Sequence, residues 1–326
     1  MGNGDDRTSA AASVALCIPT FRRPADLARL LAALPEVLET ARTDGRLGDV
    51  AVIVVDNDDT RSAEQTVRAA PLPVHYVVEA ERGVVAVRNR ALDEAAGRDI
   101  AVFIDDDETP ADARWLADLL RTRVEFDATV VAGPVRTVTD EPLDPWIVAG
   151  GFFARAHRAG LATGSRITRA ATNNLLLDLR FVEQSGIRFD PRFGRSGGED
   201  SLFTSQLHAA GARMVWCAEA LVLDHLPVPR RTRMHAVERT SGMANAGARV
   251  ALVLAGSPAK RAAVRGKALA AGAVRWISGC LRGAVGVIAR SDVLSATGAR
   301  ERARGRGGIA GAWNRTSDLY GGGGIR

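Results

Sequence analysis

Short aliphatic, β-branched runs alternate with stretches of helical spacing through the first half of the chain, which predicts βαβ units around a mainly parallel sheet. Val14 to Ile18 reads as a strand closed by Pro19. Pro24 then opens a helix in which Leu27, Leu30, Leu31 and Leu34 recur at helical spacing. Val50 to Val55 is apolar at every position, as a strand covered on both faces must be, and stops at Asp56-Asn-Asp58. Val74 to Val78 predicts a third strand, about Val84 to Ala96 a helix, and Ile100 to Ile104 a fourth strand that runs into Asp105-Asp-Asp107.

The regularity fades afterwards. A helix is predicted around Trp115 to Arg123, a strand at Thr129 to Ala132, and a loop rich in Pro and Gly from Gly133 to Gly151, of the kind that shapes substrate pockets. Thr172 to Leu177 reads as a strand, Ser201 to Ala210 as a helix, and Met214 to Cys217 and Leu221 to Leu223 as two short strands. Beyond Pro229 the strand signal stops, residues 234–290 read as helices, and the glycine-rich end from Gly305 reads as disordered. The expected organisation is a disordered start at 1–13, an α/β domain at 14–226, a basic helical region at 227–300 and a flexible tail at 301–326.

With 326 residues, 46% apolar and 25% charged, the chain can bury a sizeable core, which excludes a disordered or fibrous protein. Its net charge of +5 hides an asymmetry: residues 227–326 hold 18 Lys or Arg against 4 Asp or Glu, and residues 1–226 hold 25 against 34. Cys17, Cys217 and Cys280 are far apart, which supports neither a disulfide framework nor a zinc site and fits a reducing compartment. The acidic start has no basic and apolar leader pattern, and Arg275 and Arg282 interrupt the apolar stretch 268–289, so neither secretion nor a membrane span is expected. The cations lack interleaved aromatics and no nucleic-acid-reading motif is present, so no nucleic-acid partner is expected.

Carboxylates gather at the carboxyl ends of the second and fourth predicted strands, where open α/β sheets bind ligands. Asp105, Asp106 and Asp107 repel one another unless a cation or solvent screens them, and hard ions such as Mg²⁺ take carboxylates together with phosphate oxygens. The same triplet also suits a solvated turn and helix cap. No phosphate-loop or dinucleotide signature is present, which leaves metal-bridged phosphate binding, aided by Arg88 on a helix. A second acidic site, Gly197-Gly-Glu199-Asp200, opens a helical pattern, and there a capping role stands beside a catalytic one.

Cys17-Ile-Pro-Thr-Phe-Arg-Arg-Pro24, Val54-Val-Asp-Asn57, Arg88-Asn-Arg-Ala-Leu92, Phe103-Ile-Asp-Asp-Asp-Glu108, Thr172-Asn-Asn-Leu-Leu176 and Gly197-Gly-Glu-Asp200 occur in register with family 2 glycosyltransferases. Over about residues 14–226 the chain resembles a GT-A enzyme, and within the family the succinoglycan-type bacterial glucosyltransferases. The resemblance implies a Rossmann-like α/β fold, with a mainly parallel central sheet and helices on both faces, ahead of the basic helical region. It implies an inverting, metal-dependent transferase moving a hexose from a nucleotide-diphosphate sugar, UDP-linked, to a hydroxyl of a glycan on a polyprenyl diphosphate, at the cytoplasmic face of the membrane. By the same resemblance Pro19, Thr20, Arg22 and Asp56 lie where the nucleoside is held, Arg88 contacts the diphosphate, and Asp105 and Asp106 line the donor site. Asp107, with Asp105, would coordinate Mg²⁺ or Mn²⁺, and Asp200, beside Glu199, would be the general base. Asn173 and Asn174 would read sugar hydroxyls or form a turn, and His225 is a metal candidate or a packed histidine. Trp146, Phe152 and Phe153 would stack on a sugar or anchor their loop.

If residues 257–292 are helical, Arg261, Arg265, Arg275, Arg282 and Arg290 share one arc, which suits docking on an anionic bilayer or packing in a cationic bundle. Two other functions stay open: a transferase acting on a small natural-product acceptor, and a nucleotide-sugar binder or membrane scaffold without turnover.

Overall fold

The computed structural model describes residues 11–155, 158, 160–194 and 196–315. Most of the expected disordered start lies outside them, but Ala12 and Ser13 already belong to the first strand. In chain order the elements are β1 (Ala12–Thr20), α1 (Pro24–Thr43), β2 (Leu47–Asp56), α2 (Glu64–Arg68), β3 (Val74–Val78), α3 (Val84–Glu94), β4 (Ile100–Ile104), β5 (Glu108–Pro110), α4 (Trp115–Glu125), β6 (Val130–Ala132) and β7 (Val135–Val138). They continue with α5 (Pro145–Gly150), β8 (Asn174–Asp178), α6 (Leu179–Ser185), α7 (Glu199–Ala209), β9 (Met214–Trp216), β10 (Val222–His225), α8 (Arg233–Leu254), α9 (Pro258–Ile288) and α10 (Asp292–Ala312).

The chain divides into two compact units. The first comprises the chain up to Arg136, Arg155–Pro191 and Phe203–His225; the second comprises Thr137–Ala154, Arg192–Leu202 and the chain from Leu226. The division is therefore not a single cut near residue 226, because 137–154 and 192–202 group with the C-terminal helices.

The first unit is built on a seven-stranded sheet of order β3-β2-β1-β4-β8-β6-β9. β3, β2, β1 and β4 are parallel, β8 runs antiparallel between β4 and β6, and β9 is parallel to β6. Successive β1 side chains point to opposite faces. Val14, Leu16 and Ile18 pack with Leu27, Leu30 and Leu34 of α1 and Trp115 of α4. Ala15 and Cys17 pack with Ile53, with Val87 and Ala91 of α3 and with Phe203 and Leu207 of α7. Each fully buried Leu contributes about 1.5–3 kcal/mol, and cover on both faces suits the unbroken apolar runs Val14–Ile18 in β1 and Val50–Val55 in β2. Pro19 does not end β1: pairing with β4 stops at Cys17, so this residue without an N–H falls where β1 pairs with β2 alone. A small second sheet, β5-β10-β7, sets Asp224 opposite Glu108.

In the second unit the segment expected to be a plain loop carries a helix. Asp144 caps α5 by accepting from the Trp146 N–H, Pro145 occupies its first turn, and Gly151 ends it at φ 60°. Trp146 and Phe152 stack at 5.1 Å, both are buried, and the Trp146 indole donates to Ser295 Oγ at 3.0 Å. These two aromatics anchor the segment and are not open to a sugar.

The expected flexible tail is corrected as well, since α10 continues to Ala312. Its glycines mark close helix approach: a Cβ on Gly305 would lie 2.6 Å from the Gly272 carbonyl oxygen, and one on Gly298 2.8 Å from that of Gly279. Residues 316–326 of that tail lie outside the described residues. Among the described residues, no helix is long and apolar enough to cross a membrane.

Candidate active site

β2 and β3 lie on one side of β1 and β4 on the other, so the order of the sheet reverses at the β1–β4 junction, where open α/β sheets take their ligands. Extending the register Cys17↔Phe103 by three residues sets Thr20 beside Asp106. The Thr20 hydroxyl donates to Asp106 Oδ2 at 2.7 Å. Arg23 Nη1 donates to Asp106 Oδ1 at 2.9 Å and to Asp107 Oδ2 at 2.8 Å. Arg88, buried on α3, reaches Asp105 Oδ1 at 3.4 Å. The aspartate triplet is thus no solvated turn: Asp106 and Asp107 are buried against the Arg23 guanidinium, and Arg88 reaches the partly exposed Asp105.

Burial pushes the Asp106 carboxyl up to about 7, Arg23 pulling it down while Asp107 and Asp105 repel it. Glu108 is raised well above the usual carboxylate range, by burial first and then by Asp105 and Asp224. Asn173 donates to Glu108 Oε1. Asp224 holds Arg155 at 3.1 Å.

Arg22 adopts φ 55° and makes a bidentate contact with Asp58, through Nε at 3.1 Å and Nη2 at 3.3 Å. That guanidinium holds the Asp58 carboxyl well below its usual range. Arg22 and Arg82 both lie over the Phe21 ring, at 5.1 and 5.0 Å.

Two expected ligand-binding residues face inward. Asp56 is fully buried, accepting from the Asp58 N–H at 3.0 Å, the Ala63 N–H at 3.0 Å and the Tyr76 hydroxyl at 2.8 Å. It fixes the loop after β2, and the same contact raises the Tyr76 phenol above its usual range, after burial as the first cause. Asn174 is buried on β8, where it accepts from the Trp115 indole at 3.0 Å and donates to the carbonyls of Pro134 and Ala220. It is neither a turn former nor open to a sugar.

The His225 ring meets the Thr109 hydroxyl at 2.9 Å, and its backbone N–H donates to the Asp107 carbonyl at 3.0 Å. Among the described residues, no three His, Cys, Asp or Glu side chains converge closely enough to hold a metal ion as they stand. The donor chemistry nevertheless fits a hard divalent cation: Asp105 and Asp107 supply carboxylate oxygens, with Arg88 and Arg23 against them.

Glu199 and Asp200 open α7 and belong to the second unit, together with Gly197 and Gly198. Those glycines sit at φ 71° and 95°, a region that side chains disfavour, and a Cβ on Gly198 would lie 3.1 Å from that of Ala246. The doublet is therefore required by the backbone and aims the chain into α7. Glu199 is buried and Asp200 half-buried. Nearby, Arg249 is buried over the Phe193 ring at 4.7 Å and donates to Ser196 Oγ and the Arg192 carbonyl.

Arg23, Asn57 and Glu108 stand in the quoted motifs, but the sequence assigns none of them a role. Asn57 clamps the approach to α3, donating to the carbonyls of Glu79 and Glu81 and accepting from the Gly83 N–H at 2.8 Å. The signal for Arg23 was its doublet: Arg22 takes one acidic cluster and Arg23 the other.

The family model for Glycosyl transferase family 2 matches residues 15–177, half of the chain. The chain belongs to glycosyltransferase family 2. Its similarity to the succinoglycan biosynthesis protein ExoM of Rhizobium meliloti (strain 1021) is 35% identity over 216 residues, covering 64% of this chain. The chain spans 65% of that relative's length, just under two thirds. The crystal structure of S. aureus TarS 1–349 superposes with a TM-score of 0.53 at 17% identity, covering 76% of this chain and 66% of that one. GalNAc-T7 with UDP, GalNAc and Mn²⁺ gives 0.52 at 12% identity, covering 75% and 51%. At such identities these likenesses establish the fold, which is the GT-A arrangement with a helical C-terminal region.

Proposed function

We propose that this family 2 protein is an inverting transferase that moves a hexose from a UDP-linked sugar to a hydroxyl of a lipid-linked glycan during polysaccharide assembly. The observation that carries the reading is the Thr20–Asp106–Arg23–Asp107 cluster at the reversal point of a family 2 sheet. The donor class is supported by TarS 1–349 in complex with UDP-GlcNAc, which shares the fold at a TM-score of 0.50, 15% identity, and 89% and 90% coverage. The name of the Rhizobium relative supports polysaccharide assembly.

In this reading Arg88 binds a diphosphate oxygen, and Arg23 keeps the aspartates in place before the donor arrives. A divalent cation held by Asp107 and Asp105, when bound, supplies electrostatic stabilisation of the leaving diphosphate. The loop shaped by Asp56, with Arg22 and Phe21 at its edge, recognises the base, Asp56 acting through the backbone it fixes. Asp200 takes the acceptor hydroxyl proton as that oxygen bonds to the anomeric carbon. The bond from that carbon to the β-phosphate oxygen breaks, its electron pair leaves with UDP, and the configuration inverts.

The test is UDP release from a panel of nucleotide sugars with lipid-linked acceptors and Mn²⁺. Turnover that falls about 10²-fold in Asp200→Asn, with donor affinity kept, supports the assignment. Full turnover in that variant removes Asp200 from the mechanism, and donor binding without any UDP release across the panel contradicts the transferase reading.

A further inference from the structure

Among the described residues, α9 leaves a face of large apolar side chains exposed. Between Pro258 and Ile288 the helix holds Lys260, Arg261, Arg265, Lys267, Arg275 and Arg282 and not one Asp or Glu. At about 100° per residue, Gly272, Gly279, Gly283 and Gly286 occupy an arc of roughly 60°. That arc is buried against α10, where a Cβ on Gly272 would lie 3.0 Å from the Gly305 carbonyl and one on Gly279 2.6 Å from the Arg302 nitrogen.

The arginines expected to form a separate cationic face share that side: Arg265 donates to the Ala312 carbonyl at 3.0 Å, and Arg275 lies 3.9 Å from Glu301. Opposite the glycines, within roughly 80° of arc, Val274, Ile277, Leu281, Val285 and Ile288 form a stripe. All five are exposed, by 66%, 54%, 65%, 53% and 84%. From Leu269 to Ile288, the half of the helix around this stripe carries no charged side chain. Arg282 lies on the flank between the glycine arc and the stripe, and Lys267 and Lys260 continue the line of the stripe toward the N-terminus, all three exposed.

We propose that this face of α9 docks on the surface of a bilayer rich in anionic phospholipid, the helix lying in the interface with its apolar stripe among the acyl chains. The stripe spans about 21 Å along the axis at about 1.5 Å per residue. The bordering Lys and Arg stems reach back to headgroup phosphates. An interfacial position suits a helix with a wide apolar face and Arg275 and Arg282 midway along it, and α9 is not apolar enough to span. A second copy is the weaker occupant, because α9 holds no carboxylate to meet the cations of another α9. The proposal stands apart from the transferase reading, since its test reads no catalysis.

The experiment is vesicle flotation of the full chain, with phosphatidylglycerol-rich vesicles against phosphatidylcholine alone, together with the mass in solution by light scattering. We expect binding to the anionic vesicles, and binding weaker by about ten-fold or more both on neutral vesicles and for the double variant Ile277→Asp, Leu281→Asp. Both positions are exposed, so the variant should keep its circular dichroism; Leu281→Ser serves if it does not. Equal flotation of wild type and a folded variant, no flotation on anionic vesicles, or a dimer that the variant dissolves in a chain that ignores vesicles would each overturn the proposal.

Discussion

Asp106 gives this fold an unusual response to pH. Its carboxyl rises from an ordinary 3.8 to about 7, with burial as the first cause and Asp107 and Asp105 adding repulsion. A raised folded-state value means that the folded protein holds the proton more tightly than the unfolded chain. Between about pH 4 and 7 the folded state therefore binds more protons, and stability falls as pH rises through that interval. A shift of about three pK units at 1.36 kcal/mol each sets an upper bound of about 4 kcal/mol on the loss. Thr20 and Arg23 oppose it by bonding the ionised form. The assay is urea unfolding of wild type and Asp106→Asn at pH 5 and pH 8 in EDTA. We expect wild type to lose about 2–3 kcal/mol more than the variant between the two values, because about two of the three pK units lie above pH 5 and the amide does not titrate. Mn²⁺ should restore more stability at pH 8 than at pH 5, since a metal takes carboxylates only when they are ionised. Equal changes in wild type and variant would refute the reasoning.

Three further outcomes are expected. Asn57→Ala removes three bonds that hold the approach to α3, so it should cost about 2–3 kcal/mol in thermal or urea unfolding, at about 1 kcal/mol per bond. Gly279→Val drives a side chain into the Arg302 and Gly298 backbone and should lower stability by about 1–3 kcal/mol or more, read as faster hydrogen exchange in α9 and α10. Burial pushes the Cys17 thiol up to about 12 and raises Cys217 as well, whereas Cys280 is only partly buried. A thiol reagent at pH 8 should therefore label Cys280 in the native protein and reach Cys17 and Cys217 only on unfolding.

The parallel half of the sheet was legible because period and burial coincide there: Val74–Val78 and Ile100–Ile104 have the bounds their apolar runs suggest. The mixed half was not, since the sequence does not say that β8 inserts antiparallel between β4 and β6. Glycine misled most. From Gly305 onward glycine suggests disorder, yet Gly305, like Gly298 before it in α10, lets the α9 backbone approach closely. At the site, strand ends pointed to the right loops but not to the direction of each side chain. Asp56 and Asn174 turn inward, while Arg23, unnoticed within its doublet, bridges Asp106 and Asp107. Motif spacing records where the chain goes; which carboxylate is satisfied from within depends on neighbours far along the sequence, such as Tyr76 for Asp56 and Trp115 for Asn174.

The most direct test is calorimetric binding of UDP to wild type and to Asp107→Ala, each with Mn²⁺ and with EDTA. We expect Mn²⁺ to tighten UDP binding to the wild type by about ten-fold or more and to leave the variant unchanged, because Asp107 would hold the cation that bridges to the diphosphate. Equal tightening in both proteins, or no UDP binding by the wild type in either condition, would contradict a nucleotide-sugar site built on this aspartate cluster.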